Sequence, residues 1–305
     1  MHIKNVASRL ALALTLYGTA MGQQVEGPEY NKPEGTPGSF FAASGSIPVS
    51  AIQDAAAKSS VVPDLATYPI AHGSSVMSTI HGDWAQFSSG AAYCFVADMD
   101  VDCDGLNHDC KGNPDGQGQT NWGALSAYEV PFIVVPNSFQ AANSGALPGN
   151  NVVAVICNGK MYYGILGDTN GNDPEVTGEA SWVLARTCFP GEDLAGDKGH
   201  NAADVTYIVF TGSEAVLPSS ALNANYITNF DTLRSMGDKL VNALASNLGA
   251  SGSGGKPSVP SNPSTPSSFV STTPSPQPTG GNGGSEPCSW GGRCGGGEEE
   301  GSSEW

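Results

Sequence analysis

Apolar and polar positions alternate in two distinct rhythms along the chain. VVAVIC (152–157) and KMYYGIL (160–166) are apolar runs joined by Asn158-Gly159. That dipeptide suits the two left-handed positions of a type I′ turn, so the pattern predicts a β-hairpin running towards Asp168. VPFIVVP (130–136), held between prolines, and ADVTYIVFTG (203–212) are β-branched and aromatic, and read as further strands. IPVSAIQDAAAKSS starts at Pro48 with the spacing of a short helix. In NFDTLRSMGDKLVNALASNLG, Phe230, Leu233, Leu240, Val241, Leu244 and Leu248 share one helical face, and Gly249 is placed to end the helix. EASWVLARTC is expected to be helical too, with Thr177 as its N-cap and Glu179 in its first turn. Strand–helix alternation is missing, so the fold class is α+β, mainly β. A compact β-rich catalytic domain with a few helices is expected, with a barrel-like closure as one form; the pattern leaves strand order open.

Composition divides the chain. Residues 1–22 carry the basic start His2, Lys4 and Arg9, then ALALTLYGTAMG, and read as a secretory signal cleaved near Gln23. Residues 23–45 are Gly/Pro/Ser-rich, a loosely ordered lead-in, and 46–249 hold nearly all patterned apolar sequence. Residues 250–287 are Ser, Pro, Thr and Gly, a linker by composition, and 288–305 form a short Cys-containing acidic tail. No later run approaches the roughly twenty apolar residues of a membrane helix, so no membrane partner is expected. Seven cysteines in an exported chain suggest disulfides. Cys103 with Cys110, Cys157 with Cys188, and Cys288 with Cys294 are the nearest pairs, which leaves Cys94 over.

Charge narrows the partner. Lys plus Arg number 12 against 29 Asp plus Glu, for a formal net charge of −17. Nucleic acid is excluded as a partner, because its recognition needs cations; a cationic or neutral partner remains. The acidic residues concentrate in two places. GDTNGNDPEVTGEAS (167–181) holds Asp168, Asp173, Glu175 and Glu179. Asp168, Asn170, Asn172 and Glu179 match side-chain positions of an EF-hand loop, but Asp173 stands where that loop needs glycine, and a strand leads in. A solvated turn and a glycosidase acid/base pair are the other readings. In DMDVDCDG, Asp98, Asp100, Asp102 and Asp104 alternate, so an extended segment would put them on one face. A metal site, a subsite for a cationic substrate and a solvated turn stay open there. No GxSxG elbow, Walker loop or HExxH occurs. Trp84, Trp122, Tyr162, Tyr163 and Trp182 are candidates for stacking on sugars, with core packing the commoner fate. His200, in GDKGH, is the histidine best placed for a supporting role; His72, His81 and His108 read as surface or structural.

ADMDVDCDG, NPDGQGQTN, VICNGKMYYGILGDTNG, TGEAS, CFPGE, GDKGH and ADVTYIVFTG, in this order, resemble the fungal chitosanases of glycoside hydrolase family 75. The resemblance covers roughly residues 46–249. It implies a secreted endo-hydrolase of chitosan, the β-1,4 polymer of glucosamine, working by inversion with no cofactor or metal. It also implies a catalytic pair at Asp168 and Glu179; the division of roles stays open in the sequence, with Asp168 favoured as the acid and Glu179 as the base. The expected substrate-binding set is Asp98, Asp100, Asp102, Asp104, Tyr163, Asn170 and His200, in a monomer whose partner is cationic chitosan. A non-catalytic carbohydrate-binding protein and an extracellular calcium-binding protein are the alternatives.

Overall fold

The computed structural model describes residues 28–250. In chain order its regular elements begin with α1 (Val49–Ala56), β1 (Thr67–Pro69), β2 (Met77–Thr79) and β3 (Ala92–Asp102). Next come β4 (Phe132–Pro136), α2 (Asn137–Ala142), β5 (Val152–Cys157) and β6 (Lys160–Asn170). β7 (Glu179–Ser181), α3 (Trp182–Cys188), β8 (His200–Phe210) and α4 (Phe230–Asn247) complete the order. The signal, linker and tail readings, and the Cys288–Cys294 pairing, lie outside the described residues.

The expected hairpin forms. Asn158 and Gly159 turn at φ 49° and 70°, and β5 pairs antiparallel with β6 from Val152↔Ile165 to Cys157↔Lys160. Six strands then close into a barrel in the order β3-β7-β4-β6-β5-β8. Closure leaves these strands no free edge, and it explains why β4 and β5 are apolar without alternation: every residue of both is buried. Inside, Phe95 and Tyr207 stack with ring centroids 4.7 Å apart.

α4 covers the hairpin. Phe230, Leu233, Leu240, Val241 and Leu244 are buried, as the periodicity predicts. Asn229 caps the helix by accepting from the Thr232 N–H, and Gly249 ends it at φ 66°. Gly237 lets the helix approach closely: a Cβ there would lie 2.5 Å from Cγ of Tyr163. The Tyr163 hydroxyl donates to Asp238 on the next residue of the helix, at 2.7 Å.

Two local expectations are corrected. Residues 28–45 are not a loose lead-in. Phe41 is fully buried, and its carbonyl accepts from the Tyr163 N–H at 2.7 Å. Phe40 meets Phe230 edge-on, and the Trp182 indole donates to Pro33. A few large apolar anchors outweigh the Gly/Pro/Ser composition. The second correction concerns Glu179. The helix begins only at Trp182, with Ser181 before it, and Glu179–Ser181 is strand β7. Sheet pairing on both sides overrides the helical spacing.

Cys103–Cys110 and Cys157–Cys188 are bonded, while Cys94 is free and buried, its thiol pushed up to about 12 by burial. No helix among the described residues is long and apolar enough to cross a membrane.

Gly237→Ala sets two effects against each other. Alanine gains up to about 1 kcal/mol of helix propensity, but overpacking against the fully buried Tyr163 ring costs about 1–3 kcal/mol. The collision should win, and thermal unfolding should show a lowered Tm. An unchanged or raised Tm would mean that α4 can slide off Tyr163 freely.

Candidate active site

The acidic segments meet where β7 joins β3 to β4. In the parallel β3/β7 pair, Asp100 aligns with Glu179 and Asp102 with Ser181. On the other side of β7, Ile133 of β4 pairs with Ala180, which brings Val134 opposite Glu179. Val134 in turn pairs with Asp168 on β6. Glu179 and Asp168 therefore stand two strands apart with Val134 between them. At about 4.8 Å per strand their backbones are roughly 10 Å apart. All three line a cavity of about 740 Å³, together with Asp100, Asp102, Asp104, Asp115, Asp173 and Asp197. The lining thus holds eight carboxylates and one lysine, Lys198.

Asp168 is held by the backbone. It is 4 % exposed, and its Oδ1 accepts from the Asn121 N–H at 2.9 Å and the Thr169 N–H at 2.8 Å. Burial pushes its carboxyl up to about 6, restrained by those two donors and assisted by the charge of Asp104. Asn170 points to the same face two residues on, as strand alternation requires. Its Oδ1 accepts from the Asn172 and Val176 N–H groups, which fixes the amide so that Nδ2 donates to Glu179 Oε2 at 2.9 Å. Glu179 opens partly to the cleft, yet burial pushes it up to about 8. The Asn170 bond opposes that shift, and Asp100, Asp168 and Asp104 reinforce it. As pH falls, Glu179 takes its proton before Asp168. Both carboxyls are thus held above the ordinary carboxylate range by burial, and Asp168 and Glu179 differ in what opposes it. Asp168 has the two peptide donors, and Glu179 has the like-charged neighbours.

The residue before Glu179 is constrained as tightly. Gly178 has φ 91°, its carbonyl accepts from the Asp100 N–H at 2.7 Å, and a Cβ on it would lie 2.1 Å from Asp98 Oδ1. Thr177 is buried with no hydrogen bond from its hydroxyl, so it caps nothing.

Three expected substrate contacts fall elsewhere. Asp98 is 2 % exposed and lies behind Gly178, outside the cleft lining. A register shift between Ala97 and Met99 breaks the alternation that would have put it beside Asp100. Tyr163 is fully buried under α4. β6 is covered on both faces, so alternation could not assign its side chains. His200 stacks on Phe189 at 3.6 Å and bonds Glu192 through Nδ1 and Asp204 through Nε2. Burial lowers its pKa, but those two partners outweigh burial and raise it. It braces the segment whose Asp197, Lys198 and Gly199 line the cleft. Asp100, Asp102, Asp104 and Asn170 do line it. Of the aromatic candidates, Trp84, Tyr162 and Trp182 are buried, and none of the five lines the cleft.

Asp115, Asp173, Asp197 and His72 were missed as cleft residues. Asp115 and Asp197 lie within NPDGQGQTN and GDKGH, motifs already visible in the sequence. Their loops interlock through glycine: a Cβ at Gly112 would lie 2.1 Å from Asp197 Oδ1. His72, at the tip of the β1–β2 ribbon, meets the Asn172 amide at 3.2 Å. The calcium geometry does not form. Strands flank the 171–178 loop, Asn170 Oδ1 is taken by backbone donors, and no three His, Cys, Asp or Glu among the described residues group as metal ligands.

Known proteins resemble the chain across this site. The family model described as "Fungal chitosanase of glycosyl hydrolase group 75" matches residues 99–243. Endo-chitosanase C of Aspergillus oryzae is 69% identical over 297 residues, covering 97% of this chain and 75% of the relative. Endo-chitosanase B of the same species is 44% identical over 164 residues, 48% of this chain and 67% of the relative. An endo-chitosanase of Aspergillus fumigatus is 41% identical over 165 residues, 48% and 68% of the two chains. The chain belongs to the fungal chitosanases of glycosyl hydrolase group 75 and is a glycoside hydrolase.

Proposed function

We propose that this chain is a secreted endo-chitosanase that cleaves β-1,4 bonds between glucosamine units by inversion. One observation carries the reading: Glu179 and Asp168 stand two strands apart on the floor of an acidic cleft. An inverting pair needs carboxyl groups about 6.5–9.5 Å apart, so that a water fits between the base and the sugar. Backbones roughly 10 Å apart are compatible with a separation in that range. Glu179 gives its proton to the glycosidic oxygen as the C1–O bond breaks. Asp168 takes a proton from the water that attacks C1 from the opposite face. Each turnover leaves Glu179 ionised and Asp168 protonated, and exchange with solvent restores both.

The cleft suits a polycation. Among the described residues no Lys or Arg forms an ion pair with a lining carboxylate, so protonated amines of chitosan are the missing counter-charges. The names of the relatives agree with this substrate. Secretion rests on the basic-then-apolar start of the sequence and on the two disulfides.

The pair is tested by isosteric substitution. Asp168→Asn and Glu179→Gln should each lower kcat on soluble chitosan by at least about a hundredfold, with the fold intact. Asp173→Asn and Glu175→Gln should leave kcat within a few fold. Glu175 accepts from the Ser138 N–H and hydroxyl at the start of α2, so its loss acts on stability instead. Comparable damage from all four would remove the special place of the pair.

The pH profile follows from the charge states. Activity needs Asp168 ionised and Glu179 protonated. The kcat/KM profile of the free enzyme should rise as pH passes about 6 and fall as it passes about 8. A profile still climbing beyond the alkaline limit would contradict Glu179 as the acid.

A further inference from the structure

The cleft brings eight carboxylates together with a single lysine, Lys198. Asp102, the last residue of β3, stands at the centre of the problem. It aligns with Ser181, two pairs beyond the Asp100–Glu179 pair. Its carboxyl feels Glu179 from β7, Asp168 from β6 and Asp104 from the following turn. Its one hydrogen bond is Oδ1 accepting from the Asp104 N–H at 2.7 Å. The three acidic neighbours that it feels are better supplied. Asp168 has two backbone donors. Asp104 has the Gln117 N–H at 2.8 Å and the favourable charge of His108. Glu179 has the Asn170 amide. From the facing loops come Asp115, Asp197 and Lys198, and the Lys198 ammonium is engaged by the Glu192 carbonyl. The lining histidine, His72, is turned to Asn172.

Resting on the chitosanase reading, we propose that Asp102 is a proton-exchanging subsite: it holds a proton in the empty cleft and releases it to solvent when a glucosamine ammonium group arrives. Burial first, and then its acidic neighbours, keep Asp102 well above the ordinary carboxylate range, which agrees with that arrangement. A cation beside it reverses the balance, because an opposite charge favours the ionised form. The ammonium keeps its own proton, and the carboxyl proton passes to buffer. An N-acetylated unit carries no charge and cannot drive the exchange. Asp102 thereby selects a deacetylated sugar by making its charge the condition for ionisation.

The test is calorimetry of the full chain with a sulfur-linked glucosamine oligomer, which is not hydrolysed, at pH 5 in buffers of different ionisation enthalpy. At that pH the ligand amines are already protonated, so released protons come from the protein. Wild type should release at least about one proton per oligomer bound. Asp102→Asn should release about one fewer, and the slope of log affinity against pH should drop by about one. The fully N-acetylated oligomer should release none. Binding with no buffer dependence, or equal release by wild type and Asp102→Asn, would overturn the proposal while leaving the chitosanase reading standing. Absence of any binding would sink both. Should Asp102→Asn fail to fold, the ¹³C carboxyl shift of Asp102 in the wild type decides. It should move from protonated to ionised on adding oligomer, and an ionised Asp102 in the free protein would overturn the proposal.

Discussion

Everything at the site depends on a three-residue strand. β7 inserts between β3 and β4, parallel to one and antiparallel to the other. It closes the barrel and in the same step sets Glu179 beside Asp100 and across Val134 from Asp168. Its anchors lie at both ends. Gly178 supplies a left-handed φ and an acceptor for the Asp100 N–H. Ser181 is buried, accepts from the Phe132 N–H at 3.0 Å, and hands the chain to α3. A carboxylate on a strand fixed this way keeps its place without depending on loop conformation.

The same placement works against stability. Asp168, Glu179 and Asp102 bind protons more readily in the folded chain than in the unfolded one. Their contribution to stability is therefore full below the ordinary carboxylate range and is lost as pH rises through about 6 for Asp168 and about 8 for Glu179. The surrounding barrel, with its buried Phe95–Tyr207 stack and the packing of α4, holds together a ring of groups that repel one another. Active sites are commonly destabilised in this way, because the charges that chemistry needs are not the charges that folding would choose.

The long-period features were legible in the sequence: the Asn158-Gly159 hairpin, the apolar face of α4 and the acidic stretch from 167 to 181. What stayed hidden depends on contacts far apart in the chain. A strand of three residues carries no periodicity, so β7 looked like the first turn of a helix. One register shift in β3 moved Asp98 away from Asp100, and no local signal marks it. Tyr163 sits on a strand covered on both faces, where alternation says nothing about which side is wet. The division of acid and base could not be read either. In the division proposed here, with Glu179 as acid where the sequence suggested Asp168, it rests on which carboxyl receives backbone N–H groups, and Asn121, which supplies one to Asp168, is 47 positions away.

The central claim is that the barrel holds Glu179 and Asp168 far enough apart for a water to stand between the base and the sugar. The most direct measurement is ¹H NMR of the reducing ends formed in the first moments of chitosan cleavage, before mutarotation. The account predicts the α-anomer from a β-linked substrate. Initial formation of the β-anomer would require a carboxylate close enough to bond C1, about 5–5.5 Å from its partner, and would contradict it.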